Sequence, residues 1–184
     1  VSGGPGTLNN VTFGSGFGYR QGTDLDFGVA GAALRAASSA IANLPVNGST
    51  SLAYGGITLS GGDPALNVFS VAGADLAAAN NLVIAVPASS TVVINVSGPS
   101  AGLQNIGFSY GTLGANQVLF NLAQATTLML QDVGVEGSIL APNAAVTFNS
   151  GVIDGQLVAG SLTGTGQFNA APFTGCVPVP AFGS

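Results

Sequence analysis

The acids are the residues best equipped for chemistry here, because the chain has no histidine and a single cysteine. Without histidine no Ser–His–Asp or Cys–His relay can be built, and zinc held by histidine or paired cysteines is excluded. Two acids stand out by position. Glu136 and Asp154 hold equivalent places in Gly134–Asn169, a stretch whose two halves echo each other at a constant offset. Val135 answers to Ile153, Gly137 to Gly155, Ile139 to Leu157 and Ala141 to Ala159. If each half is one coil of a stacked chain, the two carboxylates sit one above the other, roughly 5 Å apart by strand spacing. Such a pair could serve glycoside hydrolysis or hold calcium. It could equally anchor a coil corner, each acid accepting hydrogen bonds from turn backbone beside its glycine. No calcium-loop sequence surrounds them, and the glycine-rich segments lack the lysine of a phosphate-binding loop. The sequence therefore assigns no catalytic, cofactor-binding or metal-ligating residue, and the chain is expected not to be an enzyme.

Other polar groups suggest surfaces rather than reactions. Thr127, Thr147 and Thr163 are spaced to align on one face, as a surface for ice or crystalline polysaccharide would require. Asn10-Val11-Thr12, Asn47-Gly48-Ser49 and Asn95-Val96-Ser97 fit the glycosylation pattern. Cys176 has no internal partner, so it reads as an unpaired thiol in a terminal loop, the sharper alternative being a disulfide between subunits.

The elements that must position these residues are mostly strands. A repeat of roughly 20 residues is the size of one β-solenoid coil, which buries its inner side chains only by stacking on a neighbour. Strand-length runs recur at Leu66–Val71, Leu82–Val86, Thr91–Val96, Ile106–Tyr110, Gln117–Leu122 and Thr127–Gln131. Pro87-Ala88-Ser89-Ser90 reads as a hairpin-like connection or a coil corner. One long helix is expected over about 24–44. Phe27, Ala30, Leu34, Ala37, Ile41 and Leu44 recur at helical spacing, Thr23 or Asp24 can cap the start, Asp26 suits the positive end of the dipole, and Pro45 stops it. A second, short helix is expected at about 74–80. The fold class is thus mainly β, a β-solenoid resembling a parallel β-helix, with the long helix flanking it. Residues 1–175 form one such domain, and 176–184 an extended proline-containing tail.

Composition narrows the partners. Charged residues make up only 5% of the 184, and the bases are Arg20 and Arg35 alone. Nucleic acid is excluded, because neutralising phosphates takes clustered Lys and Arg. The mean hydropathy is +0.55, yet the apolar runs are strand-length and no transmembrane segment is expected. The chain opens at Val1 without a methionine and reads as a mature or trimmed product.

The stretch SILAPNAAVTFNSGVIDGQLVAGSLTGTGQFNAAPFTG resembles the bacterial choice-of-anchor A domain family, as do DFGVAGAALRAASSAIANLP and NQVLFNLAQATTLML earlier in the chain. The resemblance covers roughly residues 24–175 and implies export, a cell-surface or matrix setting and no catalytic residues. The plan of solenoid plus helix is also similar, at the level of fold, to ice-binding solenoids. A solenoid has two ends with unpaired strand edges, and this chain has no lysine to guard them. The expected function is an extracellular structural protein of a bacterial surface or biofilm matrix, secreted and polymerising with copies of itself. Polymerisation would run through solenoid ends or through donated strands, with Val1–Phe13 and Val177–Phe182 as candidates. The alternative is an adhesin-like module for polysaccharide or ice.

Overall fold

Short β-branched runs separated by Gly, Asn, Ser or Pro cannot make long strands, so the chain bends at each break and returns beside itself. The computed structural model describes residues 26–178. Helix α1 (Phe27–Ala42) is followed by β1 (Ser49–Ala53), β2 (Gly56–Ser60), β3 (Leu66–Ala72), α2 (Gly73–Ala78), β4 (Asn81–Ala85) and β5 (Thr91–Ser97). Then come β6 (Ser100–Gln104), β7 (Gly107–Ser109), a 3₁₀ turn (Ala115–Gln117), β8 (Val118–Asn121), β9 (Thr127–Glu136), β10 (Ser138–Asp154), β11 (Leu157–Gly164) and β12 (Gln167–Asn169).

Each coil visits three walls in turn. The first wall stacks β3, β5, β8 and the starts of β10 and β11, all parallel. The second stacks β6, the first half of β9, the middle of β10 and the end of β11. On the third, β2, β4 and β7 are parallel, and the last residues of β9 and β10 pair in line with β12. This is the expected β-solenoid with two helices. Pro87–Ser90 is a corner and not a hairpin, since β4 and β5 lie in different sheets. The one antiparallel pair among the described strands is β1–β2, turned by Tyr54 and Gly55 at φ 51° and 77°.

The coils shorten along the axis. Leu66 pairs with Thr91 and Val92 with Val118, whereas Leu119 already meets Ser138 and Ile139 meets Leu157, so the later coils close with less chain. Inward side chains stack in rows, such as Phe69, Ile94, Phe120 and Ile139, each at most 1% exposed. Burying each contributes roughly 1.5–3 kcal/mol. Corners tighten where β10 bends at Pro142, which has no N–H to leave unpaired, and where Asn143 donates to the Ala123 carbonyl at 3.0 Å.

Helix α1 lies outside the first wall. Asp26 is its cap, its carboxylate accepting from the N–H groups of Gly28 (2.8 Å) and Val29 (3.1 Å). The helix therefore starts at Phe27 rather than near residue 24, and Thr23 and Asp24 lie outside the described residues. Ile41 packs on Val68, Val93, Leu119 and Leu140. Beside it runs a polar ladder. Asn121 donates to the Ser38 carbonyl (2.9 Å) and to Asn95 Oδ1 (2.8 Å), and accepts from the Ser38 hydroxyl (2.6 Å). Asn95 donates to the Ile41 carbonyl at 3.0 Å. Just beyond the helix, Asn47 covers the outer edge of β3, donating to Leu66 O and accepting from Val68 N–H. After β12 the chain crosses back over the first wall: Thr174 N–H donates to Asn116 O at 2.9 Å, and Cys176 N–H to Thr91 Oγ1 at 3.2 Å.

Candidate functional site

The two acids meet as the echo required. Glu136 and Asp154 are register partners on adjacent strands of the third wall. Neither carboxylate anchors the corner, contrary to the turn-anchoring expectation. The turn N–H groups of Gly137 and Gly155 donate instead to the carbonyls of Asp154 and Asn169, both at 3.0 Å. Glycine is required there for space, because a methyl on Gly155 would collide with the Gly137 carbonyl below it. Asp154 accepts from the Asn169 side chain at 2.6 Å, and Glu136 stands exposed on an open wall. Among the described residues no cluster of three Asp, Glu or Cys groups could hold a metal ion. Beneath the acids, the Tyr110 hydroxyl accepts from the Glu136 N–H at 3.2 Å. Burial pushes this hydroxyl well above its ordinary value, so it stays protonated. Among the described residues the pair thus has no third acidic ligand.

Two of the three glycosylation-pattern asparagines, Asn47 and Asn95, are structural. Asn95 is 9% exposed and belongs to the helix ladder. Asn47 spends its amide on the β3 edge. Asn10 lies outside the described residues. Cys176 is free and exposed.

The threonines divide. Thr147 and Thr163 are neighbours in register, but Thr127 pairs with Ala145. Strands β9 and β10 keep the offset of the sequence echo, as does the start of β11, whereas the end of β11 has slipped along β10. The slip comes from the bulge between Ala141 and Ala145. In place of one threonine row, the second wall presents several mixed rows. Ser100, Thr127, Ala145 and Ser161 form one, all exposed. Met129, Thr147 and Thr163 continue another, and Gln104, Gln131 and Asn149 a third. Between the rows, Leu128, Leu130, Val146 and Phe148 point inward and are at most 2% exposed. The outward side chains of this wall carry no formal charge. They repeat at about 4.8 Å across strands and about 6.7 Å along them. Two hydroxyls, Ser100 and Ser161, were not read from the sequence; Ser161 joins the row only through the bulge.

A cleft of about 320 Å³ runs between α1 and the returning tail, lined by Leu34, Ile41, Leu119, Val158, Phe173 and Val177. Its floor is the first wall, and it offers no titratable side chain.

A family model described as "Putative Ice-binding-like adhesive domain" matches residues 1–170. That description is not choice-of-anchor A, the family whose motifs the sequence resembles; it agrees with the coarser expectation of an ice-binding-like, adhesin-like β domain. No curated protein and no solved structure matches the chain.

Proposed function

This chain belongs to the ice-binding-like adhesive domain family, and from that premise we propose that it is a non-enzymatic adhesive module whose second wall grips an extended, uncharged, regularly repeating solid. Ice and crystalline polysaccharide are the two substrates of that kind, and the setting is the cell surface or the space outside it. The observation that carries the reading is the uncharged lattice of small hydroxyl, amide and methyl groups on β6, β9, β10 and β11. A stacked sheet holds those groups rigid before contact, so little side-chain entropy is lost on binding. Thr147→Lys should test it. The change puts a hydrated charge in the middle of the wall without touching the core, and should abolish retention on ice and on cellulose or chitin while leaving the melting temperature within about 2 °C. Retention of neither solid by the wild-type chain, or undiminished retention by the variant, would refute the proposal.

Growth into filaments is the second reading, and the unguarded strand edges favour it. β1 is exposed along its length, and β11 and β12 each pair only with β10 among the described residues. Fibres of wild-type protein in negative stain at micromolar concentration are the expected result; a monodisperse monomer under those conditions overturns it.

A further inference from the structure

At the start of the solenoid one strand edge is left open. On the first wall the outer edge of β3 is occupied, Asn47 donating to Leu66 O and accepting from Val68 N–H, and Thr50 Oγ1 donating to Ser70 O at 3.0 Å. On the second wall α2 stands beside β6, with Ala77 against Gly102. On the third wall β1 pairs only with β2 among the described residues. The hairpin turn holds two residues, Tyr54 and Gly55, so Ala53 and Gly56 close it as a hydrogen-bonded pair. Hydrogen bonding alternates along an antiparallel strand. Ser49, Ser51 and Ala53 therefore spend their backbone groups on β2, and those of Thr50 and Leu52 point away from it. No proline, bulge or charge lies in Ser49–Ala53 to guard that edge.

The same edge carries apolar side chains. Leu52 pairs with Ile57 and Thr50 with Leu59, so both stand on the inward face of the sheet. Ile57 and Leu59 are buried, yet Leu52 is 55% exposed, and Val46 and Tyr54 on either side of it are 53% and 103% exposed. Tyr54 is held outward at φ 51°, where a bulky residue is rare. The recess beside Leu52 and Tyr54 is bordered by Ala78 and by a single charged group, Asp75 of α2.

We propose that β1 pairs with β1 of a second copy of this chain, antiparallel about a two-fold axis through Ser51. Full overlap of Ser49–Ala53 with itself puts Ser49 opposite the second copy's Ala53 and Thr50 opposite its Leu52. That register brings the free backbone groups of Thr50 and Leu52 face to face, so the two residues exchange both of their hydrogen bonds across the junction. Tyr54 falls opposite Gly48, which leaves the ring room, and the two Leu52 side chains become diagonal neighbours within reach of each other. A two-fold contact requires a patch that complements itself. Here tyrosine meets glycine, serine meets serine, and residues 46–60 hold no charge to repel its own copy. The two tyrosines cover roughly 150–250 Å² each. With Val46, Leu52 and the strand backbone of both copies, the buried area reaches about 1,000 Å², the lower limit for a specific interface and the size of a reversible dimer. The inference rests on the unguarded β1 edge of the filament reading and changes what that edge does. A two-fold contact closes on itself, which takes β1 out of filament growth. The adhesive wall lies on other strands and is not involved.

Single cysteines in full-length protein carrying Cys176→Ser test the register. Ser51→Cys puts its thiol on the axis, facing its own copy in a pair without backbone hydrogen bonds, where Cα atoms stand about 4.5 Å apart and a disulfide fits. Ser49→Cys lies on the same outward face but about 14 Å from its own copy. Mild oxidation should convert the Ser51→Cys chain to a covalent dimer and leave the Ser49→Cys chain monomeric, by intact mass and non-reducing electrophoresis. Adding Leu52→Lys sets two like charges side by side across the axis and should slow the Ser51→Cys link at least about tenfold, with the melting temperature unchanged because Leu52 is exposed. A Ser51→Cys thiol that stays free, or that links no faster than Ser49→Cys, would overturn the proposal. Fibres in negative stain from a Ser51→Cys chain whose thiol stays free would overturn the closed dimer and leave the filament reading standing. A covalent dimer without fibres would support the dimer and refute growth. Binding to ice or polysaccharide is not part of the readout, so the adhesive reading stands or falls separately by Thr147→Lys.

Discussion

Asn121→Ala removes the centre of the ladder that ties α1 to the solenoid. Asn121 is 1% exposed and Ser38 fully buried, and the substitution deletes three hydrogen bonds of 2.6, 2.9 and 2.8 Å. The Ser38 hydroxyl can turn to a carbonyl of its own helix. The Asn95 Oδ1 cannot move without giving up the bond to Ile41, so at least one buried acceptor is orphaned. An unsatisfied buried group costs about 1–3 kcal/mol, and the lost bonds about 1 kcal/mol each. These costs overlap, and a destabilisation of about 3 kcal/mol is expected. With a urea slope of about 2–3 kcal/mol per molar for a chain of this size, the midpoint should fall by roughly 1–1.5 M. Ser38→Ala removes the facing partner, so the two changes should be coupled by about 1 kcal/mol or more in a double-mutant cycle. The competing argument is that a buried polar ladder gives little net stability because its groups were well solvated before folding. A midpoint shift below about 0.3 M, or strict additivity with Ser38→Ala, would show that argument to be right and the ladder reading wrong.

Three further outcomes follow from the same geometry. Tyr110 holds its proton more tightly folded than unfolded, so its contribution is fully present below about pH 10 and is lost as pH rises above that. Wild type should lose up to about 1.4 kcal/mol per pH unit in that range, and Tyr110→Phe should flatten the slope in urea melts from about pH 9 to 11; an unchanged slope would count against it. Gly155→Ala pushes a methyl into the Gly137 carbonyl and should lower the melting temperature by several degrees, whereas Gly62→Ala, with open space around it, should not; equal effects at both sites would reject the stacked-corner account. Retention on a polysaccharide solid should be the same at about 0.05 M and about 1 M NaCl, because the proposed wall is uncharged, and a steep salt dependence would move the contact to another surface.

The echo between Glu136 and Asp154 was legible because the last coils are short and both halves of it are strand. The pairing of Val135 with Ile153 and of Ile139 with Leu157 is the alignment already visible in the sequence. Earlier coils were illegible as repeats for a physical reason. They are longer, as the pairs Leu66–Thr91 and Val92–Val118 show; α2 replaces a strand on the second wall, and the turns differ in length, so no fixed offset aligns their inward residues. Helix α1 was found from its spacing, but its cap was not, since Thr23, Asp24 and Asp26 satisfy the same local rule. Only the start of the helix distinguishes them. The ladder asparagines were overlooked because Asn95 carried a glycosylation pattern, and nothing local marks a side chain whose partners lie as far along the chain as Ser38 does from Asn121.

The sequence by itself determined that strands would dominate, that one amphipathic helix would flank them, and that histidine-based chemistry is excluded. Those properties depend on composition and on spacing within one element. Which residues share a wall was decided by the tertiary structure alone. A bulge between Ala141 and Ala145 slides the end of β11 along β10, moves Thr163 out of the row of Thr127 and Ala145 to stand beside Thr147, and brings Ser161 into the exposed row instead. Lateral register depends on how corners pack against one another, and that information is absent from any single strand.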